Sequence, residues 1–246
     1  IFDKIRVVPG TTKIVGVNGM TLLESKHKLE ELGLSNNVRD FIEQCMSENI
    51  PIEEIGYQFE KTKLSNKDQK KKNGQFYTPE HLGRYMIEYL SIESSMEVID
   101  PASGTGTFLI PILKKLYNGT SVNKVDGIDI DHQALEILLA IIHLLDLKID
   151  SENLIHGNTI VSNPTISEHA LDVNEIKPED GFDVVIGNPP YVTLKKDVEF
   201  DSTDIAYEGL LNGQVNAATL MIIKGLQMLK TNGVLAFVLP KNILHV

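Results

Sequence analysis

An asparagine, two prolines and a tyrosine follow one another at Asn188, Pro189, Pro190 and Tyr191, directly after the apolar run Phe182-Asp183-Val184-Val185-Ile186-Gly187. Two prolines cannot continue a strand ladder, so the tetrapeptide reads as a rigid loop beyond the end of a buried strand. A generic turn is the bland explanation, but a turn requires neither the apolar run before it nor the aromatic after it. Such a corner can activate a conjugated amine. The exocyclic amine of a nucleobase is a poor nucleophile because its lone pair is delocalised into the ring, and two carbonyl acceptors that grip its hydrogens out of plane free that pair. Asn188 can supply a side-chain oxygen and Pro189 a backbone oxygen, with no proline N–H to compete for them. Tyr191 can stack on the base, an interaction worth ~1–3 kcal/mol.

A second constellation lies upstream, where Val98-Ile99-Asp100-Pro101-Ala102-Ser103-Gly104-Thr105-Gly106-Thr107-Phe108-Leu109 reads as strand, glycine turn and helix. Glycines let a backbone approach a ligand, and a helix start presents free N–H groups. Three readings compete. A dinucleotide fingerprint wants a third glycine where Leu109 stands, and a P-loop wants a lysine that does not follow Gly106. A nucleoside with an amino-acid tail, as in S-adenosylmethionine, fits better, because Asp100 at a strand end suits an ammonium group and is an awkward neighbour for a pyrophosphate. The run Gly127-Ile128-Asp129-Ile130-Asp131 ends a second strand in acids. Asp129 is placed to accept the hydroxyls of a ribose at the carboxyl edge of the sheet. Ile130 is either the cofactor's adenine contact or an ordinary buried strand residue. Asp131 immediately precedes a helix and is expected to be its N-cap.

These residues need a scaffold. Strand-like runs at 96–100, 124–130, 153–156, 182–187 and 233–239 alternate with helical ones near 79–91, 106–117, 132–147 and 214–230. That alternation predicts an α/β fold with a doubly wound, mostly parallel sheet. The region 1–70 reads as mainly helical, with a helix over 36–48 capped by Asn36 or Asn37, and a second opened by Pro51. Residues 1–20 fit a hairpin or a loop. The catalytic core is expected to span 71–246, with 158–180 as an irregular excursion. The helix at 132–147, apolar over most of its circumference, reads as core.

Composition bounds the function. Hydrophobic residues make up 42% and charged residues 23% of the 246, ordinary globular usage. A lone cysteine, Cys45, excludes an intrachain disulfide and makes a reducing cytoplasm the default. No apolar run is long enough to span a bilayer, and the seven histidines show no metal-ligand spacing. The net charge of −11 argues against a surface that is basic throughout. Lys61, Lys63, Lys67, Lys70, Lys71 and Lys72 are nevertheless clustered, with Asp68 the one acid among them. They form either a solvated linker or an approach to phosphate.

Taken in order, Gly74-Gln75-Phe76-Tyr77-Thr78-Pro79, the Asp100 to Gly106 loop and Asn188-Pro189-Pro190-Tyr191 resemble the gamma-type S-adenosylmethionine-dependent adenine-N6 DNA methyltransferases of bacterial restriction–modification systems. The resemblance covers about 55–246. It implies a Rossmann-like methyltransferase core that transfers a methyl group from S-adenosylmethionine to the N6 of a flipped-out adenine in double-stranded DNA, with Asn188, Pro189, Pro190 and Tyr191 as catalytic motif. Tyr77, Thr78, Pro79, Asp100, Ala102, Gly104, Gly106, Phe108, Asp129, Ile130 and Asn158 are the cofactor-binding residues it implies, Thr78 doubling as a helix N-cap. Asn158 departs from the acid the family often carries there. A specificity subunit or fused target-recognition domain is the implied partner, and further strands and a second base-stacking aromatic are expected beyond residue 246. Enzymes that methylate a glutamine amide of release factors, or RNA, share the tetrapeptide, and a non-catalytic scaffold subunit is the remaining alternative.

Overall fold

The computed structural model describes residues 22–65, 78, 80–116, 125–208 and 215–240. Three helices come first: α1 (Leu22–Glu30), α2 (Asn36–Ser47) and α3 (Ile52–Ser65). The predicted cap of α2 is corrected by one residue. Ser35 occupies the N-cap position, and its N–H and Oγ donate to the Glu136 carboxylate at 2.6 and 2.7 Å rather than to the helix. Residues 1–20 lie outside the described residues.

Beyond them run α4 (Glu80–Tyr89), β1 (Val98–Asp100), α5 (Leu109–Leu116), β2 (Val125–Asp129), α6 (His132–Leu144), β3 (Leu154–His156), α7 (Val173–Ile176) and β4 (Phe182–Gly187). The short β5 (Thr193–Leu194) pairs antiparallel with β6 (Val215–Asn216), and α8 (Ala217–Met228) leads into β7 (Leu229–Phe237). Five strands form one sheet in the order β3-β2-β1-β4-β7, every pairing parallel.

A parallel sheet needs both faces covered, and the burial follows that need. Val98, Leu109, Ile112, Leu113, Val125, Leu138 and Ile142 form one cluster with Val184 and Ile186. On its other side α6 packs Ala134, Ile137, Ala140, Ile141 and Leu144 against Leu29, Val38, Ile42, Ile55 and Phe59 of the first three helices. This explains why α6 is apolar over most of its circumference: it is a middle layer, with the sheet on one side and the amino-terminal helices on the other.

Several boundaries differ from the sequence pattern by a few residues, and two bear on the site and the sheet. β7 starts four residues before the expected 233, because Asn232-Gly233, which reads as a turn, is absorbed as an irregularity inside the strand. Asn232 adopts φ +66°, and a Cβ on Gly233 would meet the Phe182 carbonyl at 2.8 Å. α5 starts at Leu109 rather than 106, leaving 101–108 as a turn of its own.

Candidate active site

In the strand order, chain connections leave β1 to one side for β2 and β3 and return on the other for β4 and β7. Ligands of open parallel sheets bind at such a switch point, outside the carboxyl ends of the strands. A cavity of about 590 Å³ lies there. It is walled by the turns after β1, β2 and β3, the loop after β4, α3 and the segment around β5.

The turn after β1 is built from its own amides. Ala102 N–H donates to Asp100 Oδ1 at 3.0 Å, Ser103 N–H to the Ile128 carbonyl at 2.8 Å, Gly104 N–H to Asp129 Oδ2 at 2.7 Å and Gly106 N–H to the Ser103 carbonyl at 2.9 Å. A phosphate cradle requires those N–H groups to point at the ligand, and here they are committed to the protein. Both nucleotide-phosphate readings of the glycines therefore fail on geometry.

What the turn offers instead is a carboxylate. Asp100 is 1% exposed, its Oδ1 is satisfied by Ala102, and its Oδ2 has no partner among the described residues. Burial first, and the nearby Asp129 carboxylate second, push its carboxyl up to about 8 against the opposing bond from Ala102. A buried acceptor facing a cavity is a site for a cationic donor. Asp129 is likewise pushed up to about 6 by burial, against its bonds from the N–H groups of Asp131 and Gly104. Each Asp129 oxygen thus already holds one backbone donor, so its part in binding a hydroxyl is shared with bracing the turn.

The structure brings Thr78, Asp100, Ala102, Gly104 and Phe108 to the cavity wall, together with Asp129, Ile130 and Asn158. Ile130 is 52% exposed, which overturns its reading as an ordinary buried strand residue and gives the cavity an apolar face beside Asp129. Asn158 Oδ1 accepts from Ile160 N–H at 3.1 Å, so its amide is partly engaged in its own turn. Asp131 caps α6 as expected, accepting from the N–H groups of Gln133 and Ala134, and its other oxygen pairs with Lys63.

Gly106, expected among the cofactor-binding residues, is set back from the wall. It does not line the cavity; a Cβ there would lie 2.3 Å from Leu138 Cδ1, and its φ is +93°. Glycine is required there for the approach of α6 and for the left-handed backbone. Tyr77 and Pro79 lie outside the described residues, as do Lys67, Lys70, Lys71 and Lys72 of the lysine cluster.

The tetrapeptide follows β4, next to β1 in the sheet, so Asn188 opens into the same cavity. Its Nδ2 donates to Thr78 Oγ1 at 2.8 Å, and its Oδ1 accepts from the Tyr191 hydroxyl. Pro190 lines the cavity, while the buried Pro189 does not. Tyr191, expected to stack on the base, is engaged through its hydroxyl. Its ring does not line the cavity, and its hydroxyl, raised by burial to about 12, reaches both Asn188 Oδ1 and the Val238 carbonyl. In this arrangement the tyrosine orients the asparagine and ties it to the end of β7.

Several wall residues carried no motif. Phe59, Glu60 and Lys63 come from α3, and Glu60 Oε1 accepts the Thr105 hydroxyl at 2.7 Å. Burial first raises the Glu60 carboxyl, and Asp131 adds to the shift against the bonds from Thr105 and the charge of Lys63. The available signal was Gly56 inside a helix, one turn before Glu60, because an interior glycine marks close backbone approach. A Cβ on Gly56 would stand 2.7 Å from Thr105 Oγ1.

The outer wall, with Leu194, Val198 and Glu199, is anchored from beneath. Lys224 and Asp204, 3% and 7% exposed, form an ion pair at 2.8 Å, and Ser162 Oγ donates to the same carboxylate. Tyr207 packs under the Lys224 ammonium and donates to the Ile160 carbonyl at 2.7 Å. Among the described residues no cluster of His, Cys, Asp or Glu could hold a metal ion, and no helix is long and apolar enough to cross a membrane.

Strand order and site together define the class: a Rossmann-like fold of the methyltransferase type. The chain belongs to the N-6 DNA methylase family, whose family model matches residues 55–246. It is 26% identical over 171 residues to the Type II methyltransferase M.HincII of Haemophilus influenzae, covering 68% of this chain and 28% of that protein. It is 30% identical over 196 residues to the Type I restriction enzyme MjaVII methylase subunit of Methanocaldococcus jannaschii, covering 76% of this chain and 32% of the subunit. Among solved structures the Type I restriction enzyme EcoKI M protein superposes with a TM-score of 0.53 at 17% identity, over 94% of this chain and 46% of that one, a likeness of fold. The chain spans about a third or less of the length of these curated relatives.

Proposed function

We propose that this chain is the methyl-transferring part of an adenine-specific DNA methyltransferase of a restriction–modification system, using S-adenosylmethionine as cofactor. The observation that carries the reading is the meeting, in one cavity, of an unpartnered buried Asp100 oxygen and the Asn188 amide at the ends of two adjacent strands. A core over 71–246 with an amino-terminal helical region over 1–70 is the corresponding division of the chain.

The residues present fit such a cofactor. Asp100 Oδ2 suits its ammonium group, Asp129 its ribose hydroxyls, and the exposed Ile130 with Asn158 its adenine. S-adenosylmethionine supplies, when bound, a methyl group activated by a sulfonium. The chain's own task is the acceptor. A paired adenine hides its amine, so the base must be extruded into the cavity. Asn188 Oδ1, oriented by Thr78 and Tyr191, accepts an amine hydrogen and helps free the nitrogen lone pair; the Pro189 carbonyl, the expected second acceptor, belongs to a buried residue set back from the cavity wall. Double-stranded DNA is thus the proposed substrate, a specificity subunit or fused recognition domain the proposed partner, and the cytoplasm the place of action.

The test is incubation of the full-length protein, with its specificity partner where one exists, with labelled cofactor and unmodified duplex DNA, followed by nucleoside analysis. N6-methyladenine that disappears with Asn188→Ala is the expected result. Label in a release-factor glutamine or in RNA, with none in DNA, would refute the substrate assignment.

A further inference from the structure

The cavity wall is acidic: Glu60, Asp100, Asp129, Asp131 and Glu199 line it, and Lys63 is the lining cation among the described residues. Their charges are not equally compensated. Asp129 holds two backbone N–H groups, and Asp131 holds Lys63 and the start of α6. Glu199 is exposed, where solvent screens it. Asp100, with its open oxygen, is matched to an ammonium group. Glu60 is held against the turn by the hydroxyl and backbone N–H of Thr105, with Lys63 the cation acting on it, and its Oε1 is only 3.2 Å from where a Cβ of Gly104 would stand.

We propose that Glu60 is a charge-selecting residue of the cofactor site, its carboxylate favouring the cationic sulfonium form of the cofactor over the uncharged thioether left after methyl transfer. The inference rests on reading the cavity as an S-adenosylmethionine site. The two forms share ammonium, carboxylate and adenosine groups and differ by one positive charge at sulfur. Asp100 meets a group present in both and cannot discriminate. A partly desolvated carboxylate on α3, held against the turn that walls the cavity, acts on the difference, because Coulomb interactions there are weakly screened. Such selection would help the product leave and the next cofactor enter.

The test is calorimetric titration of the full chain with S-adenosylmethionine and with S-adenosylhomocysteine, without DNA. For the wild type, the Kd ratio of product to cofactor is compared with that of Glu60→Gln and of Thr105→Val, the second of which keeps the carboxylate and removes its hydroxyl partner. Glu60→Gln should lower the ratio by about threefold or more, mainly through weaker S-adenosylmethionine binding, while Thr105→Val leaves the ratio near the wild-type value. Equal loss of affinity for both ligands in Glu60→Gln means a merely structural role and overturns the proposal. Should Glu60→Gln fail to fold, Lys63→Gln decides: removing the cation that lines the cavity among the described residues should raise the ratio, and an unchanged ratio overturns the proposal. Wild-type protein that binds neither ligand would instead sink the underlying cofactor reading, an outcome distinct from an unaltered ratio.

Discussion

The carboxylate of Asp100 lies directly against the backbone of Gly187, so close that a Cβ at 187 would come within 2.7 Å of Asp100 Oδ1. Two adjacent parallel strands therefore end in one shared corner, the acid from β1 and the tetrapeptide from β4. A side chain at 187 would displace the acid, which accounts for glycine as the last residue of a strand whose other residues are Phe182, Asp183, Val184, Val185 and Ile186. The contact makes the two motifs, separated by most of a domain in sequence, a single chemical unit.

Asp100→Asn should separate stability from binding. The aspartate carboxyl sits at about 8, well above its ordinary value of 3.8, so the folded state binds this proton more tightly than the unfolded chain does. Its contribution to ligand-free stability is then lost as pH rises from about 4 to about 8. Asparagine removes that dependence, and thermal melts at pH 8 should show the variant more stable by roughly 1 kcal/mol or more. The same change should weaken cofactor binding by roughly 1.5–3 kcal/mol, the worth of a hydrogen bond to a charged group. A variant both less stable and fully able to bind would contradict the assignment.

Cofactor affinity should follow pH with the opposite sign. A bound cation favours the ionised forms of Asp129 and Asp100, whose carboxyls sit at about 6 and about 8, so affinity rises across that interval and protons are released on binding. Calorimetry in buffers of different ionisation enthalpy measures the release directly. Asp100→Asn should flatten the upper part of the profile and leave the lower part.

Asn188→Ala and Tyr191→Phe probe the acceptor side. Removing the asparagine amide should cost ~3–4 kcal/mol in kcat while leaving cofactor affinity within about twofold, because the amide acts on the base. Tyr191→Phe keeps the ring and deletes the hydroxyl that holds Asn188 Oδ1 and reaches Val238. A stacking tyrosine would tolerate this change. An orienting one should lose about 1 kcal/mol, roughly fivefold in kcat, with KM nearly constant.

How far these elements were legible depends on whether their cause is local. β4 is a run of apolar residues stopped by two prolines, and its limits follow from the sequence alone. Asp131 caps α6 because an acid stood immediately before a helical pattern, again a local cause. β7 was misjudged at its start because Asn232-Gly233 carries turn chemistry, while pairing with β4 on both sides of it holds the chain in the sheet. The ring of Tyr191 suggested stacking, but the direction of its hydroxyl is set by Val238, far downstream. Glu60 was invisible for the same reason: its partner Thr105 lies 45 residues away. The buried pair of Lys224 and Asp204 is likewise a product of packing, with nothing in either neighbourhood to announce it.

Gly56→Ala sets two effects of known sign against each other. Alanine is the better helix former by about 1 kcal/mol in a helix interior, which would stabilise α3. Its Cβ, however, would stand 2.7 Å from Thr105 Oγ1 and 2.9 Å from Thr105 Cβ, distances at which something must move. Either α3 withdraws from the turn after β1 or Thr105 rotates, and both break the bond to Glu60. Overpacking of this kind typically costs ~1–3 kcal/mol, so the clash should outweigh the propensity. Melting temperature and cofactor affinity are expected to fall together in Gly56→Ala, with Gly56→Ser lower still. A Gly56→Ala protein that melts higher than wild type and binds cofactor equally well would show that α3 does not hold the turn.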